Sequence, residues 1–203
     1  MHTHLIKISS DAPEPSHVKK AAHILQNGGI VAIPTETVYG LAVNAKNQLA
    51  IDKLYKIKKR PEGKPFTIQI SDLRQLRNYV RDISPVLKKI LDRFWPGPLT
   101  VIISTDKGKI GLRIPDNRAA LSIIDEAKIP LAVTSANLSG EGAVSSAEEV
   151  VRIFDGLIDL VIDDGRIAQG IESTVLDCTV SPFKILRKGA IAKELEEFIR
   201  DNA

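Results

Sequence analysis

The residues best suited to chemistry follow a short apolar run near the start of the chain, Ile30 to Ile33. No polar residue interrupts this run, which predicts a strand buried on both faces. Pro34 ends the run, and residues 35–40 then supply two threonine hydroxyls, a carboxylate and a phenol before a glycine. Ligands of open α/β sheets lie just beyond the carboxyl ends of strands, so these groups could hold a small polar molecule. An N-capping loop, in which Thr35 or Thr37 bonds to the backbone, explains them equally well.

A second apolar run, Leu131 to Val133, leads into another polar segment. In an extended chain Ser135 and Asn137 point to the same side, because side chains alternate between the two faces of a strand. A hydroxyl and an amide on one side can bind a phosphate or a sugar. The alternative is a turn in which these side chains bond to the nearby backbone.

A lysine occupies an unexpected position on the helix predicted after Asn47. Apolar and aromatic residues recur at positions 51, 54 and 55, and Lys58 continues the same core-facing stripe. A lysine there must extend its ammonium group to the surface or meet an anion. Cations also favour the C-terminus of a helix, which explains Arg60 and the neighbouring lysines better than it explains Lys58.

Arg113 is the charged residue in an otherwise apolar strand predicted over residues 111–115. Its planar guanidinium group matches a carboxylate with two hydrogen bonds. An arginine on an edge strand that faces water is an equally good interpretation. Ser173 and Arg187 lie at the ends of two later predicted strands and are weaker candidates for contacts with a ligand.

The composition excludes several kinds of site. The single cysteine, Cys178, rules out a disulfide within the chain and a zinc site built from cysteines. All four histidines lie within the first 23 residues, and the sequence contains neither a Walker-type phosphate loop nor a GxGxxG dinucleotide loop. An enzyme with this sequence would therefore act by positioning and electrostatics, without a histidine base or a covalent nucleophile.

Several patterns predict the elements that position these residues. Helix starts are expected at Asn47, Ser71, Ser84 and either Ser145 or Ser146. Strands and helices alternate, and short loops join several strand pairs, which predicts an α/β fold with a mixed sheet and flanking helices. No repeat or linker divides the chain, so we expect residues 1–203 to form one domain. No apolar segment is long enough for a signal peptide or a membrane span, so we expect a soluble, cytoplasmic protein with no membrane partner.

Taken in order, these segments resemble the YrdC family, the threonylcarbamoyl-AMP synthases. Each matching segment is a weak motif alone, but seven of them occur in the family's order: residues 34–41 (PTETVYGL), 58–61 (KKRP), 95–100 (WPGPLT), 113–115 (RIP), 135–140 (SANLSG), 173–175 (STV) and 186–187 (LR). Lys58 with Arg60, and Ser135 with Asn137, meet the family's Lys-x-Arg and Ser-x-Asn signature.

The resemblance implies a twisted mixed sheet with helices around a large concave basic cavity. It also implies a reaction in which L-threonine, bicarbonate and ATP form threonylcarbamoyl-AMP and pyrophosphate. This is the first step of tRNA threonylcarbamoyladenosine modification, and a separate transferase complex then passes the group to tRNA. Magnesium is expected on the triphosphate, with no metal bound by the protein itself.

The same resemblance implies roles for individual residues. The family's catalytic positions correspond to Lys58, Arg60, Ser135 and Asn137. Its L-threonine positions correspond to Thr37, Arg113 and Ser173. Its ATP positions correspond to Arg60, Lys64, Lys109, Ser135 and Arg187.

The sequence departs from the family at a few of these places. Gln69 stands where many relatives have a histidine near the threonine, and Ala143 stands where many have a serine near the phosphates. Lys64 and Lys109 occupy positions that are often uncharged. The sequence ends soon after Arg187, so we expect the short family form, without the extra C-terminal domain.

Two other functions are alternatives to the synthase. One is a non-catalytic protein that binds double-stranded RNA or assists ribosome assembly. Aromatic residues make up only 4% of the chain and the formal net charge is +3, so any RNA binding is expected to be weak. The other is a carbamoyl-adenylating protein of the hydrogenase-maturation type, for which the chain has too few residues and too few cysteines.

Overall fold

The structure is a computed structural model, and it describes residues 2–202. The strands within this range are β1 (His4–Lys7), β2 (Val31–Ile33), β3 (Gly40–Asn44), β4 (Thr67–Gln69), β5 (Leu99–Thr105), β6 (Gly108–Arg113), β7 (Leu131–Ser135), β8 (Leu160–Asp163), β9 (Thr174–Asp177) and β10 (Lys184–Arg187). The α-helices in the same range are α1 (Pro15–Gln26), α2 (Gln48–Ile57), α3 (Pro85–Phe94), α4 (Arg118–Ala127), α5 (Ala147–Phe154) and α6 (Ala192–Asn202).

The strands form one sheet in the order β1-β8-β2-β3-β7-β4-β6-β5-β9-β10. The sheet contains both parallel pairs, such as β4 with β6, and antiparallel pairs, such as β5 with β6 and β3 with β7. The predicted mixed sheet with flanking helices is therefore confirmed. The run from Ile30 to Ile33 is fully buried, as its lack of polar residues predicts.

Side-chain caps explain where most of the helices begin. Asn47, Ser84 and Ser146 each accept a hydrogen bond from a backbone N–H in the first turn of α2, α3 and α5, as predicted. The helix expected after Ser71 is instead a 3₁₀ helix over residues 73–78, which Asp72 caps. β1 was not predicted, because it is mostly exposed and lacks the apolar run that marks the inner strands.

Three apolar clusters cover the sheet. α1 and α4 pack on one face against β2, β3, β7 and β8, while α2 and α5 pack on the opposite face. The third cluster joins α3 and α6 to β5, β6 and β9. Among residues 2–202, no helix has both the length and the apolar character needed to cross a membrane.

Two glycines of the inner strands, Gly40 and Gly111, are closely packed against neighbouring strands. The register places Val133, Thr67 and Gly111 side by side across β7, β4 and β6. A Cβ atom on Gly111 would lie 3.3 Å from the Thr67 Oγ1 atom, and one on Gly40 would lie 2.8 Å from a methyl group of Val133. A larger residue at either glycine would therefore displace a neighbour, and Gly40, Thr67 and Val133 line the candidate site.

Candidate active site

A cavity of about 130 Å³ lies at the ends of the central strands. The segment between β2 and β3, the strands β4 to β7 and the residues around β9 and β10 surround it. Its charged lining residues are Arg60, Arg113, Glu172 and Arg187. Three arginines against one carboxylate make the cavity electropositive, so it suits anionic ligands.

Arg113 is held rigidly at the end of β6. Its Nε atom donates to the Gly97 carbonyl at 3.2 Å, and its Nη2 atom donates to Glu36 Oε1 at 2.7 Å and to Thr37 Oγ1 at 2.9 Å. Only 6% of Arg113 is exposed, so it is not an edge-strand arginine that faces water. The guanidinium group is thus fixed before any ligand arrives, and its Nη1 atom has none of these contacts.

The threonine hydroxyls after Pro34 bond within the protein. Thr35 Oγ1 donates to the Val38 carbonyl at 2.7 Å and lies 2.9 Å from Thr37 Oγ1. Thr37 is completely buried behind Arg113 and does not line the cavity, whereas Thr35 does. In this structure the hydroxyl of Thr37 therefore orients the arginine, and any effect on a ligand passes through Arg113.

Arg187 and Ser173 meet at the cavity. Arg187 donates from Nε to the Ser173 carbonyl at 3.0 Å and from Nη2 to the Ser173 hydroxyl at 3.1 Å. Its Nη1 atom donates to Glu172 Oε2 at 2.7 Å. Ser173 Oγ also lies 2.9 Å from Thr100 Oγ1. The two strand-end residues predicted at positions 173 and 187 are thus brought together at the cavity.

Arg60 lies across the mouth of the cavity. Its Nε and Nη2 atoms donate to the carbonyls of Lys64 and Pro65 at 2.9 and 3.1 Å, and the guanidinium group lies 5.1 Å from the centre of the Phe66 ring. Burial lowers the pKa of Arg60, and the positive charge of Arg187 adds to the effect. Arg60 and Arg187 both line the cavity, so one ligand can contact both guanidinium groups.

Lys58 supports the cavity from behind and does not line it. The side chain is 1% exposed, which confirms the predicted core-facing position. Its ammonium group donates to the carbonyls of Ser135 and Asn137 and approaches Asn137 Oδ1 at 3.4 Å. Burial is the main cause that lowers the pKa of Lys58 to about 8, and the nearby charge of Arg60 adds to it. Lys58 is thus an internal anchor for the segment that follows β7.

Ser135 and Asn137 lie on the same side of that segment, as predicted. Ser135 Oγ donates to Asn137 Oδ1 at 2.6 Å, and Asn137 Nδ2 donates to the Glu141 carbonyl at 2.7 Å. Ser135 lines the cavity, while Asn137 is buried behind it. The turn interpretation also holds, because the asparagine amide closes a turn with the backbone.

Other predicted site residues do not line the cavity in this structure. Lys64 and Ala143 are exposed on its outside. Lys109 pairs with Asp177 at 3.5 Å, and it precedes Arg113 by four residues along β6, or about 13 Å. A lysine on a long, flexible stem can reach a ligand that extends beyond the cavity, but neither Lys64 nor Lys109 forms its wall.

Two residues of the site are not among the predicted substrate-binding residues, although the carboxylate in residues 35–40 and the departure at Gln69 point to them. Glu36 pairs with Arg113. The sequence feature that could have identified it as a site residue is its position in the motif of residues 34–41. Gln69 lines the cavity, is 4% exposed, and its Oε1 atom has no hydrogen-bond partner among residues 2–202. The register sets Gln69 beside Arg113 on the neighbouring strand. The position at which this sequence has glutamine and many relatives have histidine therefore lies next to the buried arginine.

Comparison with known proteins identifies the family. The model of the Sua5, YciO and YrdC proteins, which is described as telomere recombination, matches residues 23–189. The chain belongs to the Sua5/YciO/YrdC family. All seven segments that resemble the family lie within the matched range.

Several members of the Sua5/YciO/YrdC family are similar over most of this chain. The threonylcarbamoyl-AMP synthase of Bacillus subtilis is 37% identical over 95% of the chain and 58% of its own length. The structure of Pyrococcus abyssi Sua5 complexed with L-threonine has a TM-score of 0.92 and 34% identity over 97% of this chain and 61% of that one. Escherichia coli YciO has a TM-score of 0.85 and 26% identity over 93% and 96%. The chain thus spans about three-fifths of the first two relatives, and nearly all of YciO.

Proposed function

We propose that the protein is a threonylcarbamoyl-AMP synthase, which joins L-threonine, bicarbonate and ATP and releases pyrophosphate. The observation that carries the proposal is the buried, preoriented Arg113 in one cavity with Arg60 and Arg187. The Bacillus subtilis relative is named for this activity, and the Pyrococcus abyssi relative binds L-threonine, which supports the same substrate here.

The reaction requires two anions to meet. The ammonium group of threonine first loses one proton to solvent, and the amine that results bonds to the carbon of bicarbonate as water leaves. The resulting carbamate attacks the α-phosphorus of ATP, and the bond to pyrophosphate breaks. Two unit charges about 4 Å apart repel by about 4 kcal/mol at an effective dielectric constant of about 20. Fixed arginines offset this repulsion and stabilise charge on the transferring phosphorus.

The lining residues suggest which groups of the substrates each side chain binds. We assign the threonine carboxylate to Arg113, with Ser173 nearby, and the phosphates to Arg60, Arg187 and Ser135. Lys58, Thr37 and Asn137 maintain the shape of the cavity. Lys64 and Lys109 contact ATP only where it extends outside the cavity.

Magnesium enters this proposal as part of the substrate. Residues 2–202 contain no group of three or more histidine, cysteine or acidic side chains that could hold a metal ion. The carboxylate that lines the cavity, Glu172, is already paired with Arg187. We therefore assign Mg²⁺ to the triphosphate, where the phosphate oxygens are its ligands. The product would pass to a separate tRNA threonylcarbamoyl-transferase complex.

The activity test is pyrophosphate release from ATP, with mass detection of the adenylate. We expect release to need L-threonine and bicarbonate together and to fall to background when either is omitted. Arg93→Gln is the control for variants of the cavity arginines, and it should release pyrophosphate as the wild type does. Arg93 is an exposed arginine that pairs with Glu194 away from the cavity. Pyrophosphate release that does not depend on L-threonine would contradict the proposal.

Gln69→Leu should raise stability and weaken substrate binding at the same time. A buried amide without a partner costs about 1–3 kcal/mol, so a leucine of similar size should increase the free energy of unfolding by about 1 kcal/mol. We expect affinity for L-threonine to fall about tenfold, because the ligand would lose its hydrogen bond to the amide. Urea unfolding and calorimetric titration measure the two effects.

A second glutamine provides the control for this prediction. Gln75 bonds with Ser71 away from the cavity, so Gln75→Leu should lower stability and leave threonine affinity unchanged. If Gln69→Leu raises stability with no change in affinity, Gln69 does not contact the substrate.

A further inference from the structure

Only one of the two carboxylate oxygens of Glu36 has a hydrogen-bond partner among residues 2–202. Its Oε1 atom accepts the hydrogen bond from Arg113 Nη2, while its Oε2 atom is buried and has no hydrogen-bond partner among residues 2–202. The side chain is 14% exposed. Buried polar atoms in native proteins almost always have a partner, so an unpaired acceptor on the carboxylate that is bonded to a cavity-lining arginine indicates a donor that comes from outside the chain.

Arg113 has only part of its hydrogen-bonding capacity left for a ligand. A guanidinium group has five N–H donors, and three contacts, to Gly97, Glu36 and Thr37, occupy Nε and Nη2. The N–H groups of Nη1 remain. A ligand carboxylate on Nη1 would therefore lie beside the Glu36 carboxylate on Nη2, on the same planar group.

Two carboxylates side by side repel each other unless a cation lies between them. An α-amino acid supplies that cation, because its ammonium group is attached to the carbon that carries the carboxylate. When the ligand carboxylate is on Nη1 of Arg113, the ammonium group next to it would lie on the side of the guanidinium group that Glu36 contacts, and Glu36 Oε2 is the acceptor there without a partner among residues 2–202. The pair of Arg113 and Glu36 is then complementary to a zwitterion.

We propose that Glu36 receives the α-ammonium group of the amino-acid substrate, through the Oε2 atom left open beside Arg113. This inference rests on the proposed function and adds the residue that selects an amino acid over the matching hydroxy acid. A 2-hydroxy acid offers the same carboxylate and side chain but no positive charge, so it leaves the two carboxylates to repel each other.

The test compares L-threonine with 2,3-dihydroxybutanoate of the same stereochemistry, in which a hydroxyl replaces the ammonium group. Both are titrated by calorimetry into the full chain and into Glu36→Gln, with a non-hydrolysable ATP analogue present. We expect the wild type to prefer threonine by about tenfold to a hundredfold, as for other hydrogen bonds to charged groups. In Glu36→Gln the preference should shrink to about threefold or less, because the amide keeps the shape of the side chain but carries no charge.

A second glutamate provides the control for this test, and two outcomes would overturn the inference. Glu194 pairs with Arg93 at the same distance of 2.7 Å, far from the cavity, so Glu194→Gln should keep the wild-type preference. An unchanged preference in Glu36→Gln overturns the inference and leaves the synthase proposal intact. Tighter binding of both ligands to that variant also overturns it, because Glu36 would then merely occupy the ligand's place on Arg113.

Two further results remain decisive. If Glu36→Gln does not fold, the wild-type comparison decides, and equal affinity for the two ligands overturns the inference. If the wild type does not bind L-threonine at all, the proposed function fails and this inference fails with it.

Discussion

Arg113→Gln is expected to lower kcat/KM for L-threonine by about 10²–10³-fold, the loss that follows removal of a preoriented group that binds charge. The same change leaves Glu36 without its cation, and breaking a buried ion pair costs about 3–5 kcal/mol. The variant should therefore also melt at a lower temperature. Steady-state kinetics and thermal unfolding measure the two losses.

A double variant separates catalysis from stability. In Arg113→Gln with Glu36→Gln both charges of the pair are removed, so no buried charge is left alone. We expect most of the lost stability to return while turnover stays low. If activity returns together with stability, Arg113 supports the fold and does not bind the substrate.

Lys58→Met is expected to lower kcat by about 10²-fold or more, although Lys58 does not line the cavity. Methionine fills the space but donates no hydrogen bond, so the carbonyls of Ser135 and Asn137 lose their buried donor. Each unsatisfied acceptor costs about 1–3 kcal/mol, and the segment that carries Ser135 should shift. Lys56→Met is the matched control, because Lys56 is an exposed lysine on the same helix.

The pH profile provides an independent test of Lys58. Its pKa of about 8 means that the ammonium group loses a proton, and one of its hydrogen bonds, as the pH rises past that value. Wild-type turnover should therefore fall above about pH 8, and Lys58→Met should lack this part of the profile. The effect on stability has the opposite sign. The unfolded lysine has the higher pKa and binds more protons between about pH 8 and pH 10.5, so the contribution of Lys58 to stability increases with pH in that window.

A wild-type profile that stays flat through pH 8 would show that the anchor does not depend on the charge of Lys58. Circular dichroism over the same pH range keeps the two effects apart. Loss of structure that runs parallel to loss of activity would mean that the whole fold, and not the segment after β7, responds to pH.

Local patterns in the sequence determined the elements and the face to which each residue belongs. The apolar run from Ile30 to Ile33 has no polar side, which predicts a strand buried on both faces. The spacing along α2 directed Lys58 into the core, and the alternation after Val133 placed Ser135 and Asn137 on one side. These features depend on neighbours a few residues apart, which is why the sequence reveals them.

The partners of the charged groups depended on the order of the strands. Glu36 and Arg113 are 77 residues apart, and nothing local indicates that they meet. Nothing local indicates that Lys58 meets the carbonyls of Ser135 and Asn137 either. Nor does anything local indicate that Lys109 pairs with Asp177. A sequence motif indicates only the residue types that a site requires. Only the tertiary structure decides which of them face the ligand and which, like Thr37 and Lys58, hold the others in place, because long-range strand pairing sets those distances.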